Sequence, residues 1–260
     1  MHWSQILIII GVAVFAYLFG NINFAVIISK FLKKDIRKLD SGNPGSMNMI
    51  RNFGKPIGAI TIALEALKGA IPSLLGWLLV GGIGFTAAGT VNYMRFGILF
   101  IAGAPRLGAF IGGFFVMLGH VFPVFFKFKG GKGIAAAMGV GVIAQPVLTV
   151  VAFFVGFAFL AVTQLGAITS FLIISIPIAI EGFLISSSIQ IFIDLGGNHY
   201  AYAVASLAIL FILFMFTIFT HRSNIVKLFL GTEKKTRLVK TKAEREAKRV
   251  QRLANETKEK

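Results

Sequence analysis

The feature that most constrains this chain is a series of long apolar stretches. Ile6–Ser29 is a run of 24 residues without a charged side chain, longer than the roughly 7–15-residue core of a signal peptide. A helix needs about 20 such residues to cross a membrane. Five further stretches are long enough: Ile57–Val80, Leu107–Phe126, Ile134–Val162, Leu165–Ile193 and Ala201–Thr220. With 56% apolar and 14% charged residues, a water-soluble globule is excluded, and an all-α integral membrane protein is predicted.

Positive charge is concentrated in three segments. Of 26 Lys and Arg residues, seven lie in 30–55, three in 127–132 and 13 in 221–260. Lys and Arg favour the cytoplasmic side of a membrane, so all three segments are expected in the cytoplasm. In so apolar a chain these cations are expected to meet anionic lipid headgroups, and no nucleic-acid partner is expected.

The position of the last basic segment sets the number of crossings. A cytoplasmic tail requires an even number of spans after residue 132, whereas only three apolar stretches follow. Gln145-Pro146 lies in the middle of Ile134–Val162, and proline disrupts a helix at the preceding residue. We therefore predict two helices there, about seven transmembrane helices in all, an N-terminus outside and a basic cytoplasmic C-terminal tail. One kinked helix and six spans is the alternative.

Two regions complete this organisation. Residues 1–235 are expected to form one membrane-embedded domain, and residues 236–260 a basic tail that is solvated or lies on anionic lipid. The stretch Gly81–Arg106 is expected outside, with an apolar stub, Phe96–Ala102, that the pattern does not place. Arg95 and Arg106 depart from the charge rule.

The first polar segment combines glycines, neutral donors and one arginine. Its glycines allow successive backbone N–H groups to face one anion, its Ser and Asn side chains can donate, and its arginine is a planar charged fork. An ordinary turn-rich loop has the same composition, so both interpretations stay open. The candidates are Ser41, Gly42, Asn43, Gly45, Asn48 and Arg51.

The second polar segment places lysines and glycines before an apolar helix that is predicted to start near Ile134. Glycine-rich backbone at a helix N-terminus can hold a phosphate; the residues are Lys129, Gly130, Gly131, Lys132 and Gly133. It is not a P-loop, because Phe126 stands where the first glycine would be and Gly133 where the hydroxyl would be. The lysines could instead mark the helix boundary. His120 could be a general base or an interfacial donor.

The third polar segment is His221-Arg222-Ser223-Asn224-Ile225. A basic stretch after a last span is more often a topological anchor than a ligand site. The chain contains no cysteine, so it has no thiolate nucleophile, and no metal or cofactor is expected.

Several specific strings stand in order along the chain: Tyr17-Leu18-Phe19-Gly20, Asp35-x-Arg37, Ser41-Gly42-Asn43-Pro44-Gly45 with Asn48, Leu67-Lys68-Gly69, Gly119-His120-x-Phe122-Pro123-Val124-Phe125, Phe128-Lys129-Gly130-Gly131-Lys132-Gly133 and His221-Arg222-x-Asn224-Ile225. Taken together, they resemble the bacterial acyl-phosphate-dependent glycerol-3-phosphate acyltransferases of the PlsY type across residues 10–235. The family usually has glycine where Asp40 stands.

The resemblance implies an enzyme that moves a fatty acyl group from acyl phosphate to the sn-1 hydroxyl of glycerol 3-phosphate, giving lysophosphatidic acid and phosphate, the first step of phospholipid synthesis. An acyl phosphate is already activated, so no covalent enzyme intermediate is needed. The implied catalytic residues are Ser41, His120 and Lys129. The implied substrate-binding residues are Gly42, Asn43, Gly45, Asn48, Arg51, Lys68, Gly130, Gly131, Lys132, Gly133, Arg222 and Asn224.

The sequence leaves three points open: the proton acceptor, the location of the site and the alternative functions. The proton acceptor is either His120 or a substrate phosphate oxygen, with Ser41 orienting the hydroxyl. The expected location is a bacterial inner membrane with the site on the cytoplasmic side and the acyl tail between helices. A transporter or binding protein for a phosphorylated small molecule is the alternative function, and a non-enzymatic scaffold explains the basic tail but not the glycine-lysine loops.

Overall fold

The computed structural model describes residues 3–84, 103–194 and 196–233, and within these ranges the chain is helical with no β-strand. Short 3₁₀ turns cover Ile36–Lys38 and Val124–Phe126. The helices are α1 Trp3–Gly20, α2 Phe24–Phe31, α3 Ser46–Phe53, α4 Lys55–Gly84, α5 Ala104–Val121, α6 Ile134–Ala144, α7 Pro146–Thr163, α8 Gly166–Ser187, α9 Ile189–Asp194 and α10 His199–Phe229.

Within the described residues, six helical segments are long and apolar enough to cross a membrane: Trp3–Phe31, Lys55–Gly81, Ala104–Phe126, Pro146–Thr163, Gly166–Ser187 and His199–Phe229. The predicted break before Pro146 is confirmed, because α6 ends at Ala144 and α7 begins at Pro146. Helix α6 has only 11 residues, which at ~1.5 Å per residue reaches about half of a ~30 Å hydrocarbon core. The count of seven crossings and the orientation therefore stay predictions.

Some expectations fall on parts of the chain that lie outside the described residues. These are the apolar stub Phe96–Ala102, Arg95 and the basic tail 236–260. The division at residue 235 stays a prediction for the same reason.

The predicted span over Ile6–Ser29 lies within the candidate span Trp3–Phe31, but the structure divides it into two helices instead of one. Helix α1 ends at Gly20, and Asn23 begins α2 by accepting a hydrogen bond from the amide of Val26 at 2.9 Å. Asparagine side chains replace the missing backbone acceptors at such a break. Asn21 acts in the opposite sense at the end of α1, where its side-chain amide replaces a missing backbone donor and donates to the carbonyl of Tyr17 at 2.6 Å.

Helices α4 and α5 form the centre of the protein, where small residues let their backbones approach closely. A side chain at Gly76 would overlap the backbone of Gly108, and one at Gly112 would overlap that of Pro72. Helix α1 packs against both, and α6 packs along α4. This centre positions the loops that follow α2 and α5 beside each other.

The contacts of Arg106 explain why this cation lies where the preference of Lys and Arg for the cytoplasmic side does not predict one. Its guanidinium is buried and forms an ion pair with Glu181 of α8, and it donates to the carbonyl of Ala144 at 3.0 Å. A charge inside the membrane region is tolerated when it is paired and hydrogen-bonded. Arg106 therefore joins α5, the end of α6 and α8.

Candidate functional site

The first polar segment is a folded loop held together by Asn48, which is 1% exposed. Its amide nitrogen lies within 3.2 Å of the carbonyl oxygens of Ile36, Leu39 and Asn43. Its amide oxygen accepts from Asn52 at 2.9 Å. Both polar atoms are thus used inside the protein, which favours a loop-holding role over the direct substrate contact expected from the sequence.

Asp35 and Arg37 tie this loop to the second polar segment. The carboxylate of Asp35 lies 2.7 Å from the guanidinium of Arg37. This hydrogen-bonded cation lowers the pKa of the Asp35 carboxyl to about 2. The Arg37 guanidinium also lies 5.8 Å from the ring centre of Phe126, within the range of a cation–π contact. The Asp35-x-Arg37 string thus has a structural use.

Arg51 is the cation that the first loop presents. It lies on α3, exposed, and its Nη2 donates to the hydroxyl of Ser41 at 3.2 Å. Its Nε lies 2.5 Å from a carboxylate oxygen of Asp40. Asp40 adopts φ 46°, a left-handed conformation that L-residues other than Gly, Asn and Asp seldom adopt. The predicted pair Ser41 and Arg51 is therefore brought together, with a carboxylate beside it.

The second polar segment folds back on α5. The amides of Gly130 and Gly131 donate to the carbonyls of Val121 and His120 at 3.1 and 3.3 Å. The expectation that these two amides converge on an anion therefore does not hold in this structure, because the C-terminal carbonyls of α5 already accept from them. Helix α6 does begin at Ile134 as predicted.

Gly131 is required by close approach. A side chain at this position would overlap the imidazole of His120 on one side and lie against the carbonyl of Pro44 on the other. The first and second loops therefore touch at Gly131. His120 lies directly behind that contact and is 5% exposed.

Below His120 lies a buried ionic cluster formed by Glu65 and Lys68 of α4. The Lys68 ammonium lies 2.5 Å from the Glu65 carboxylate, 2.6 Å from the carbonyl of Ile22 and 2.8 Å from Nδ1 of His120. The other carboxylate oxygen of Glu65 accepts from the amide of Phe24 at 2.9 Å. These contacts hold the α1–α2 break against α4 and fix the imidazole.

This cluster changes the interpretation of Lys68 and adds Glu65. The Lys68 side chain has no exposed area, and its ammonium contacts Glu65, Ile22 and His120 inside the protein. The arrangement therefore favours positioning of His120 over the expected substrate contact. Glu65 was not among the predicted site residues. The signal that could have found it is its spacing of three residues from Lys68 within an apolar span, since charges there are costly unless they are paired.

Lys132 joins the second segment to the third. Its ammonium donates to the side-chain oxygen of Asn224 on α10, so two predicted site residues meet. Burial, with a contribution from the nearby charge of Lys227, lowers the pKa of Lys132 to about 8, although Glu233 acts in the opposite direction. Arg51 also lowers this pKa. The site therefore carries at least two cations that repel each other.

Lys129 and Arg222 are placed differently from Lys132. Lys129 is exposed on the second loop. Arg222 donates to the carbonyl of Phe219 on its own helix at 2.8 Å, with its guanidinium 4.2 Å from that ring centre. The third segment is thus the last part of α10 rather than a loop, and Arg222 is not joined to Lys132 as Asn224 is.

An apolar cavity lies next to this site, enclosed by α5, α6, α7, α8 and α10. Met117 lines the cavity, and a side chain added at Gly133 would overlap Met117. One end of the cavity therefore adjoins the second loop. At the other end lie Ala144 and Gln145. Along α6 the cavity extends from Ala137 to Ala144, or about 10 Å.

Comparisons with known proteins agree on one family. The glycerol-3-phosphate acyltransferase family model matches residues 10–231. A glycerol-3-phosphate acyltransferase of Thermoanaerobacter pseudethanolicus is 37% identical over 227 residues, which cover 86% of this chain and 93% of the relative. One from Neisseria meningitidis serogroup B is 34% identical over 225 residues, covering 85% and 93%.

Solved structures give the same result. The crystal structure of PlsY (YgiH), an integral membrane glycerol 3-phosphate acyltransferase in its glycerol 3-phosphate form, is 29% identical, with a TM-score of 0.62 over 87% of this chain and 94% of its own. Its lysophosphatidic acid form has a TM-score of 0.60 over the same shares.

Proposed function

Because the chain belongs to the glycerol-3-phosphate acyltransferase family, we propose that it transfers a fatty acyl group from acyl phosphate to the sn-1 hydroxyl of glycerol 3-phosphate. The products are lysophosphatidic acid and inorganic phosphate. The observation that carries the proposal is the family match over residues 10–231. The paired cations and donors of the loops supply what such a reaction needs.

Two phosphates must be held close together for this transfer. Arg51 with Ser41 forms one cation–hydroxyl pair, 3.2 Å apart, and Lys132 with Asn224 forms a second cation–amide pair. Hydrogen bonds from charged donors to phosphate are stronger than hydrogen bonds between neutral groups, and they stabilise the charge that develops on a leaving phosphate. Lys129 and Arg222 are exposed near these pairs and complete the proposed cationic surface.

The contacts of His120 support a substrate phosphate oxygen as the proton acceptor. Nδ1 is enclosed by the protein, 2.8 Å from the Lys68 ammonium and 3.2 Å from the Glu65 carboxylate. Nε2 lies against Gly131, and the whole side chain is 5% exposed, so a substrate hydroxyl has little access to the imidazole. We therefore assign His120 to holding the second loop, Ser41 to orienting the hydroxyl, and Glu65 and Lys68 to positioning His120.

The acyl tail is assigned to the apolar cavity beside Gly133. Its lining is almost wholly apolar, and it follows α6 from Ala137 to Ala144, about 10 Å. Its volume is about 50 Å³, so the surrounding helices must move apart to admit an acyl chain. No step of the transfer then requires the acyl chain to enter water.

The site is assigned to the cytoplasmic face of a bacterial inner membrane, because the basic segments 30–55 and 127–132 flank it. Single cysteines are informative here, since the chain has none. A cysteine at Ser41 should be protected from an impermeant maleimide in intact cells, whereas one at Gly82 should react. Equal labelling of the two positions would overturn the orientation.

The activity is tested with purified protein in detergent, supplied with acyl phosphate and glycerol 3-phosphate, by measuring released phosphate and lysophosphatidic acid. Lys132→Ala should lower the rate about ten- to a hundredfold, the cost of one charge-assisted hydrogen bond. Lys127→Ala, on the same loop, is the matched control. A folded protein that forms no lysophosphatidic acid would refute the proposed function, and equal rates in the two variants would refute the role of Lys132.

A further inference from the structure

The negatively charged side chain of Asp40 contacts Arg51, the arginine to which we assign phosphate binding. Its Oδ2 lies 2.5 Å from Nε of Arg51. Nη2 of the same guanidinium donates to Ser41 at 3.2 Å. A carboxylate and a phosphate use the same donors of a guanidinium fork. The Asp40 carboxylate therefore occupies guanidinium N–H donors of Arg51 that a substrate phosphate would need.

The backbone around Asp40 fixes this placement. On one side, the carbonyl of Leu39 accepts from the amide of Gly42 at 2.9 Å and from the side chain of Asn48 at 3.0 Å. Asp40 itself lies inside this turn with φ 46°. The turn is thus anchored around Asp40, and its backbone places the carboxylate beside Arg51 of α3.

We propose that Asp40 is a built-in competing anion, which holds Arg51 until the phosphate of glycerol 3-phosphate displaces it. The inference rests on the proposed function in one respect, the assignment of Arg51 to phosphate. Once displaced, the carboxylate remains next to the bound phosphate and repels it. Both effects weaken phosphate binding, so Asp40 raises the KM for glycerol 3-phosphate and limits inhibition by the product phosphate.

The size of the effect follows from exposure. The side chains of Arg51 and Asp40 are 37% and 25% exposed, and exposed ion pairs are weak because water screens them. Removing the carboxylate should therefore lower the KM for glycerol 3-phosphate and the inhibition constant of inorganic phosphate by about two- to fivefold each. Because the cause is the same, the two constants should fall together.

Asp40→Asn is the direct test, since asparagine has the same shape and also tolerates a left-handed φ. Asp194→Asn is the control, because it removes an exposed carboxylate of α9 that lies outside the three polar segments. We expect both constants to fall in Asp40→Asn and to stay unchanged in Asp194→Asn. Unchanged or higher constants in Asp40→Asn, or an equal fall in both variants, would overturn the proposal. If Asp40→Asn does not fold, Asp40→Gly replaces it, since glycine suits φ 46°.

A binding measurement separates this proposal from the proposed function. Inorganic phosphate is titrated calorimetrically into each detergent-solubilised protein, and Asp40→Asn should bind it two- to fivefold more tightly than wild type. Tighter binding without any turnover in either protein would support the role of Asp40 and refute the acyltransferase assignment. Normal turnover with unchanged phosphate affinity would refute only the role of Asp40.

Discussion

Raising the pH from 7 to 9 should remove the positive charge of Lys132 selectively and weaken phosphate binding at the site. Burial and the nearby Lys227 disfavour the charged form and lower the pKa of Lys132 to about 8. Lys132 is then about nine-tenths protonated at pH 7 and about one-tenth at pH 9. A phosphate monoester, whose second pKa is about 6, stays a dianion over this range. If only protonated Lys132 binds phosphate, kcat/KM for glycerol 3-phosphate should fall about tenfold.

The assay is the initial rate of phosphate release across this pH range, corrected for acyl phosphate that hydrolyses without enzyme. Lys132→Arg should be slower at pH 7, because arginine fits a tight loop differently, but its profile should be flat, since its guanidinium stays charged. Lys127→Arg is the control and should keep the wild-type decline. A decline in Lys132→Arg that matches the wild type would show that another group titrates and would refute the reasoning.

Three further outcomes are expected. Lys68→Met leaves the Glu65 carboxylate buried without its cation, which should cost about 3–5 kcal/mol of stability and lower the unfolding temperature in detergent; an unchanged temperature would contradict the buried pair. Gly69→Ala should also lower the unfolding temperature, because the new side chain would overlap the backbone of α6, whereas Gly11→Ala meets nothing within 4 Å and should not. Truncation after residue 243 should leave turnover intact, and loss of turnover in a folded truncation would assign the tail to the site.

Local patterns predicted the helical framework well. Hydrophobic length indicated the long spans, and Pro146 indicated the boundary between α6 and α7, since both signals lie within one segment of sequence. The break at Asn21–Asn23 was missed because neither asparagine is charged and the apolar run continues on both sides. Its cause is tertiary, since Lys68 and Glu65 of α4 bind the backbone of Ile22 and Phe24.

The residues predicted for the site differ in where the structure places them. Ser41 with Arg51 and Lys132 with Asn224 meet as the motifs suggest. Asn48 turns inward to hold the first loop. Whether an amide side chain faces a ligand or its own loop depends on contacts that no local pattern contains.

The sequence by itself determined that the chain is helical, lies in a membrane and carries cations in three polar segments, because hydropathy, charge and proline act through the local chain. The tertiary structure alone decided which of those polar groups meet. Lys68 reaches His120 across 52 positions and Lys132 reaches Asn224 across 92. Such pairs depend on how each helix is rotated against its neighbours, and that rotation is set by close packing of small residues between α4, α5 and α6.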